Sequence, residues 1–239
     1  MLALDDDAII TDPQRFRAVV ELITTNTDII VLSLNVLMSS FDMKEQYFSN
    51  FGCEGREIFP IPIPGLGACL IKVSPFLKAK MWEKLFFVDK RKYGGDEFAL
   101  AIRCRLLGYQ IFGTRTCFAI HRHNQLGRSR KICVEQELAN CDALAAYPRK
   151  FGIPFVLLYQ SSLLMNPDSQ TLSRVKGSLL GIIEIIRKSS NIRRQFFGEI
   201  GNATWKRAAE LFSDAYISSD DWKTRLKGKI MKICSRLIT

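Results

Sequence analysis

A chain of 239 residues with 47% apolar side chains can form one large domain, or one domain with an appendage, and bury a real core. Lys and Arg outnumber Asp and Glu by 34 to 24; the resulting +10 favours a polyanionic partner such as nucleic acid, a phosphorylated ligand or an acidic membrane surface. Seven cysteines with no C-x-x-C pair argue against a disulfide framework or a zinc ribbon and for reduced, buried thiols; no signal peptide is read at the start, and no apolar run approaches the roughly 18–20 residues of a membrane span.

In chain order, Met1–Leu4 reads as the end of a buried strand, followed at once by Asp5, Asp6 and Asp7. Asp12-Pro13 has the form of an N-cap with proline at the first helical position, and a helix is expected through "PQRFRAVVELI". "DIIVLSLNVLM" reads as a buried strand. Residues 39–62, with Gly52, Gly55, Pro60 and Pro62, read as irregular. "GLGACLIKV" (65–73) is a strand with a glycine-rich entry, and Ser74-Pro75 opens a helix expected to run to about Lys84.

From Asp96 the period changes. Phe98, Ala99, Ile102, Leu106 and Leu107 recur at helical spacing, with Gly108 at the stop position. "YQIF" and "TCFAIH" read as two short strands, and helices are expected at 132–149, 154–165, 171–188 and 203–238, the last with a break near Ser218–Asp220. The chain divides near Pro167, into a mixed part (1–166) and a basic helical part (167–239).

Two motifs hold clustered carboxylates. The first is Asp5-Asp6-Asp7 after an apolar strand; the second is Asp96-Glu97, inside "YGGDEFAL". The string Gly-Gly-Asp-Glu-Phe resembles the signature of diguanylate cyclases. That family needs a second D-x-D-x-F-K-type segment upstream and a strand after the signature. The region 53–62 supplies no such segment, and the periodicity after Phe98 is helical. "LALDDDAII" also resembles the first motif of haloacid-dehalogenase phosphatases, but Ala8-Ile9 stands where Gly-Thr belongs.

The ordered set fits another family. Asp5–Asp7 at a strand end, Gly67-Ala68-Cys69 in a small-residue strand, Asp96-Glu97 followed by Leu100, Arg103 and Gly108-Tyr109, and then His121 at a strand end resemble family 2 glycosyltransferases of GT-A fold. The likeness extends over roughly residues 1–165. It implies an α/β fold, an incomplete GT-A mixed sheet with helices, followed by a helical C-terminal region. In such enzymes a nucleotide-binding part precedes the acidic strand, so the chain is expected to correspond to a C-terminal portion.

By this resemblance the chain is an inverting hexosyltransferase. It would move a sugar from a nucleotide-diphospho-sugar donor to a glycan or lipid-linked acceptor, in cell-surface polysaccharide synthesis. The cofactor implied is Mg²⁺ or Mn²⁺, held by Asp5, Asp7 and His121, with Asp5, Asp6 and Asp7 also on the donor. Asp96 or Glu97 is the base; the family prefers aspartate in the position where Glu97 stands. Gly67 and Ala68 lie on the acceptor side. Arg103 reads as a structural ion-pair partner.

The segment "WKTRLKGKIMKICSRLI" (222–238) is a basic amphipathic helix. Trp222, Leu226, Ile230, Ile233 and Leu237 form its apolar face, and Lys223, Arg225, Lys227, Lys229, Lys232 and Arg236 carry charge with no acid among them. Two roles stand open: packing on the protein's own core, or contact with an anionic membrane through Trp222, Lys223, Arg225, Lys227, Lys229 and Lys232. The second suits a cytoplasmic protein peripheral on the inner face of a membrane. No nucleic-acid-binding motif is present, and no nucleic-acid partner is expected. A non-enzymatic alternative is a truncated, catalytically silent module that binds membranes or a partner subunit.

Overall fold

The computed structural model describes residues 1–4, 8–38, 57–81, 95–121, 130–165, 171–197 and 199–238. They form a mixed α/β fold: a six-stranded mixed sheet and eight helices among the described residues. The strands are β1 (Leu2–Leu4), β2 (Ala8–Ile10), β3 (Val31–Met38), β4 (Ile58–Ile61), β5 (Ala68–Ile71) and β6 (Ile111–His121). Their order is β1-β5-β3-β6-β2, with β4 also paired to β6. Only β3 and β6 run parallel; the other pairs are antiparallel.

Helix α1 (Pro13–Thr25) starts where the sequence places it. The Asp12 carboxylate accepts the Gln14 and Arg15 backbone N–H groups, each at 3.0 Å, satisfying two donors that helix geometry leaves unpaired. Strand β3 is the buried centre of the sheet, with Val31, Leu32, Leu34 and Val36 fully enclosed. Its near-continuous β-branched and leucine run is what a strand covered on both faces requires.

Four expectations need correction. Strand β1 is not buried: among the described residues it pairs only with β5, at the sheet edge, and Leu2 and Leu4 are exposed. Residues 58–61 are not irregular but form β4, with Phe59 and Ile61 inward; among the described residues it pairs with β6 alone, a setting that tolerates Pro60. Helix α2 (Val73–Lys78) stops well short of Lys84, in a turn with Lys80 at φ 55°. "YQIF" and "TCFAIH" belong to one strand, β6. A register shift against β3 between Ser33 and Asn35 absorbs the extra residues, so pairing resumes without a break in the strand.

Helix α3 (Asp96–Leu106) follows the expected period, and Gly108 at φ 87° lies just beyond its end. Beyond the sheet come α4 (Arg130–Leu144), α5 (Arg149–Met165), α6 (Thr171–Phe197), α7 (Asn202–Ile217) and α8 (Trp222–Arg236). The break between α4 and α5 falls at 145–148, ahead of Pro154, which α5 accommodates inside its span. The expected boundary at Pro167 lies outside the described residues. Residues on both sides of it share one hydrophobic cluster: Phe98 and Ile102 of α3, Phe151 and Phe155 of α5, Trp205 and Phe212 of α7, and Met231 of α8. Edge-to-face rings build much of it, Phe155 meeting Phe212 at 4.9 Å and Tyr147 meeting Trp205 at 5.5 Å between centroids.

Arg105 joins the sheet to this cluster. Its guanidinium is buried and donates to the carbonyls of Ala101 (3.3 Å), Ile61 (3.2 Å) and Pro62, while its carbon lies 4.5 Å from the centre of the Phe212 ring. One planar donor fork thus holds the end of β4, the middle of α3 and the face of α7. Replacing Arg105 with Ala is expected to lower the unfolding free energy by about 3 kcal/mol in urea titration, since buried carbonyls lose a charged donor; Arg105→Lys should fall between.

Candidate functional site

Helix α3 begins against α4. Gly95, at its N-cap, has φ 86° and donates its N–H to Asn140 Oδ1 at 3.2 Å. A Cβ at this position would lie 3.0 Å from the Ala139 carbonyl oxygen. Both the left-handed backbone and the close approach therefore demand glycine. Asp96 and Glu97 follow in the first turn, where the helix dipole favours carboxylates.

The two acids differ in setting. Asp96 is exposed, yet enough of its carboxyl is desolvated to raise its pKa above the ordinary value. Glu97 is half-buried and faces the glycine-rich entry of β5, where its Oε1 accepts the Leu66 N–H at 3.4 Å. That turn is fixed from beneath: Ser33 Oγ on β3 accepts the Gly65 N–H at 2.9 Å. Gly67 and Ala68 are buried beside it. Glu97 of the acidic pair and the entry of the small-residue strand therefore meet at one place.

Asp5, Asp6 and Asp7 lie outside the described residues, but the strands flanking them are described. Leu4 pairs with Ala68, and Ala8 pairs with His121. The segments entering and leaving the acidic triplet are thus registered on β5, beside the Glu97 contact, and on the end of β6. His121 closes β6, with Ala8 opposite it on one side and Met38 on the other. Among the described residues, no three His, Cys, Asp or Glu side chains gather at metal-binding distance. The expected ligand set draws on Asp5 and Asp7, so this does not bear on it.

Arg103 is buried and donates to the Ala99 carbonyl at 3.3 Å; burial lowers its pKa to about 10.

Sequence reading missed a polar layer behind the acidic pair. Glu137 of α4 is buried, and its surroundings comprise Asn140 on α4, Tyr159 on α5, and Arg174 and Ser178 on α6. Burial pushes its carboxyl up to about 7, and Arg174 and the hydrogen-bonding neighbours only partly oppose this. Gln160 donates to Ser178 Oγ in the same layer. Asn140 connects the layer to Gly95 and so to the first turn of α3. The i, i+3 pair of Glu137 and Asn140 on a helix is the only sequence signal, and on its own it resembles an exposed face.

The chain was compared with protein-family models, with curated proteins and with solved structures, and none of the three gives a significant match.

Two outcomes follow from this geometry. Gly95→Ala should cost about 1–2 kcal/mol in chemical denaturation, from the left-handed backbone and the pressure on Ala139. Glu137 binds its proton more tightly when folded than when unfolded, so its contribution falls as pH rises. Stability should drop from about pH 4.5 to pH 7 and then level, by up to about 3 kcal/mol. Melting curves across that range should flatten in Glu137→Gln.

Proposed function

We propose that the chain carries the metal-binding and acceptor-side residues of an inverting glycosyltransferase site, in a GT-A-like mixed sheet of the family 2 type. Its substrates are a nucleotide-diphospho-sugar and an acceptor hydroxyl on a glycan or lipid-linked glycan. The observation that carries the reading is the meeting of Glu97 with the β5 entry, together with the pairing of Leu4 with Ala68 and Ala8 with His121. Strand register sets the segment before the acidic triplet on β5 and the segment after it on β6, and one helix start sets Glu97 at the β5 entry, which supports the reading.

Glu97 is the base. Its carboxylate takes the proton of the acceptor hydroxyl as that oxygen attacks the anomeric carbon from the side opposite the departing diphosphate. The bond to the diphosphate oxygen breaks, and the anomeric configuration inverts. The Leu66 N–H and the rigid first turn of α3 fix the direction of the carboxylate. By the resemblance, Gly67 and Ala68 lie on the acceptor side. Asp96, one position earlier and more exposed, orients acceptor hydroxyls.

Asp5, Asp7 and His121 would hold Mg²⁺ or Mn²⁺; two carboxylates and one imidazole suit those ions. When bound, the ion neutralises charge on the leaving diphosphate. By the same resemblance, Asp6 would contribute to donor binding.

The decisive assay offers a panel of nucleotide-diphospho-sugars with Mn²⁺ and follows nucleotide diphosphate release and glycoside formation. Glu97→Gln should slow transfer by about 10²–10⁴-fold while leaving donor binding intact. Asp7→Ala should abolish the response to Mn²⁺. Transfer that persists unchanged in Asp7→Ala would remove this site from the reaction. A loss confined to Asp96→Asn would move the base to Asp96.

A further inference from the structure

Helix α8 is turned the opposite way from a core helix. Its inward face is made of Thr224, Gly228, Met231 and Ser235, all buried. A Cβ at Gly228 would lie 2.7 Å from the Ile217 backbone nitrogen, so α8 lies directly on the end of α7 and needs small residues there. The large apolar residues point outward: Trp222 is 62% exposed, Leu226 49%, Ile230 38%, Ile233 60% and Leu237 52%. Spaced by three or four residues, they form one continuous stripe along the helix. The protein's own core does not cover it.

Charge flanks the stripe on both sides. At about 100° per residue, Lys223 and Lys227 fall along one margin, and Arg225, Lys229 and Arg236 along the other. Lys232 is committed elsewhere: its ammonium pairs with Asp214 of α7 at 2.6 Å, so it leaves the set of membrane-contact candidates. No acid occurs from 222 to 238. The Lys223 ammonium sits 5.9 Å from the Trp222 ring, at the N-terminal end of the stripe. Among the described residues no helix is long and apolar enough to cross a membrane. An apolar strip with basic margins matches a surface that is apolar in depth and anionic at its rim.

We infer that the outward face of α8 is an interfacial anchor that lays the protein on an anionic lipid bilayer, with the helix axis in the membrane plane. Trp222, Leu226, Ile230, Ile233 and Leu237 enter the acyl boundary, and Lys223, Arg225, Lys227, Lys229 and Arg236 meet the headgroup charge. The inference stands on α8 alone and does not depend on the transferase reading.

The test is cosedimentation of the full chain with vesicles of phosphatidylcholine, with and without phosphatidylglycerol. Wild type should bind the anionic vesicles at least about tenfold more tightly than the neutral ones, and salt should weaken that binding. Both Leu226 and Ile233 are exposed, so L226S/I233S should keep its far-ultraviolet dichroism and lose about tenfold or more in affinity. Brominated lipid should quench Trp222, and W222F should remove that quenching. Failure of wild type to bind anionic vesicles overturns the inference. So does unchanged binding by L226S/I233S, since binding would then come from charge alone or from the exposed leucines and isoleucines of α6. A wild-type dimer that L226S/I233S dissociates also overturns it, because a second copy would then be the cover of the stripe.

Discussion

The buried guanidinium of Arg105 is the constraint on which the rest of this architecture depends. A cation so far from water must replace its hydration with fixed acceptors. Here the acceptors are backbone carbonyls at the end of β4 and on α3, with an aromatic face from α7 beneath. Backbone carbonyls cannot move without moving their elements. The sheet, the acidic helix and the C-terminal helices are therefore positioned by one side chain. Hydrophobic burial supplies most of the favourable free energy but is non-directional; the guanidinium fork supplies direction.

That direction reaches the candidate site through α3. One part of the helix is fixed by Arg105, and its start is fixed by Gly95 against Asn140 and Ala139. Between these two points the helix cannot slide along its axis. The first turn then presents Glu97 to the β5 entry at a set distance, while Ser33 holds the same entry from the central strand. The carboxylate and the turn it faces are thus positioned by separate anchors. Two independent supports hold this one contact in place.

Local chemistry made much of this legible in the sequence. Asp12-Pro13 announced α1 because capping is decided within four residues. The period from Phe98 to Leu106 announced α3, and the buried run from Ile29 announced β3, because burial imposes periods. What escaped depends on partners distant in the chain. Pro60 disguised β4, whose only described partner is β6. The exposure of β1 follows from its place in the sheet order, which no single segment records. Arg105 carries no mark in the sequence, and two of its acceptors lie about forty positions upstream. Glu137 and Asn140 had the spacing of a solvated pair, yet α5 and α6 close over them. For α8 the sequence held the correct stripe and the correct charges. Which side faced the protein was decided by Gly228 and the end of α7, a matter of fit rather than of hydropathy.

Burial also governs thiol chemistry in this chain. Cys69, Cys104, Cys117, Cys133 and Cys141 are enclosed, and Cys234 is half-buried. Cys69 and Cys104 are pushed up to about 12, with burial the leading cause. Only the thiolate attacks peroxides, disulfides or alkylating agents, and at neutral pH such a group offers about one part in 10⁵ in that form. Cys69 stands next to Ala68 at the candidate site, so that site is bordered by a sulfur that behaves as a small apolar group. Oxidants that would disable an exposed thiol there meet an unreactive wall.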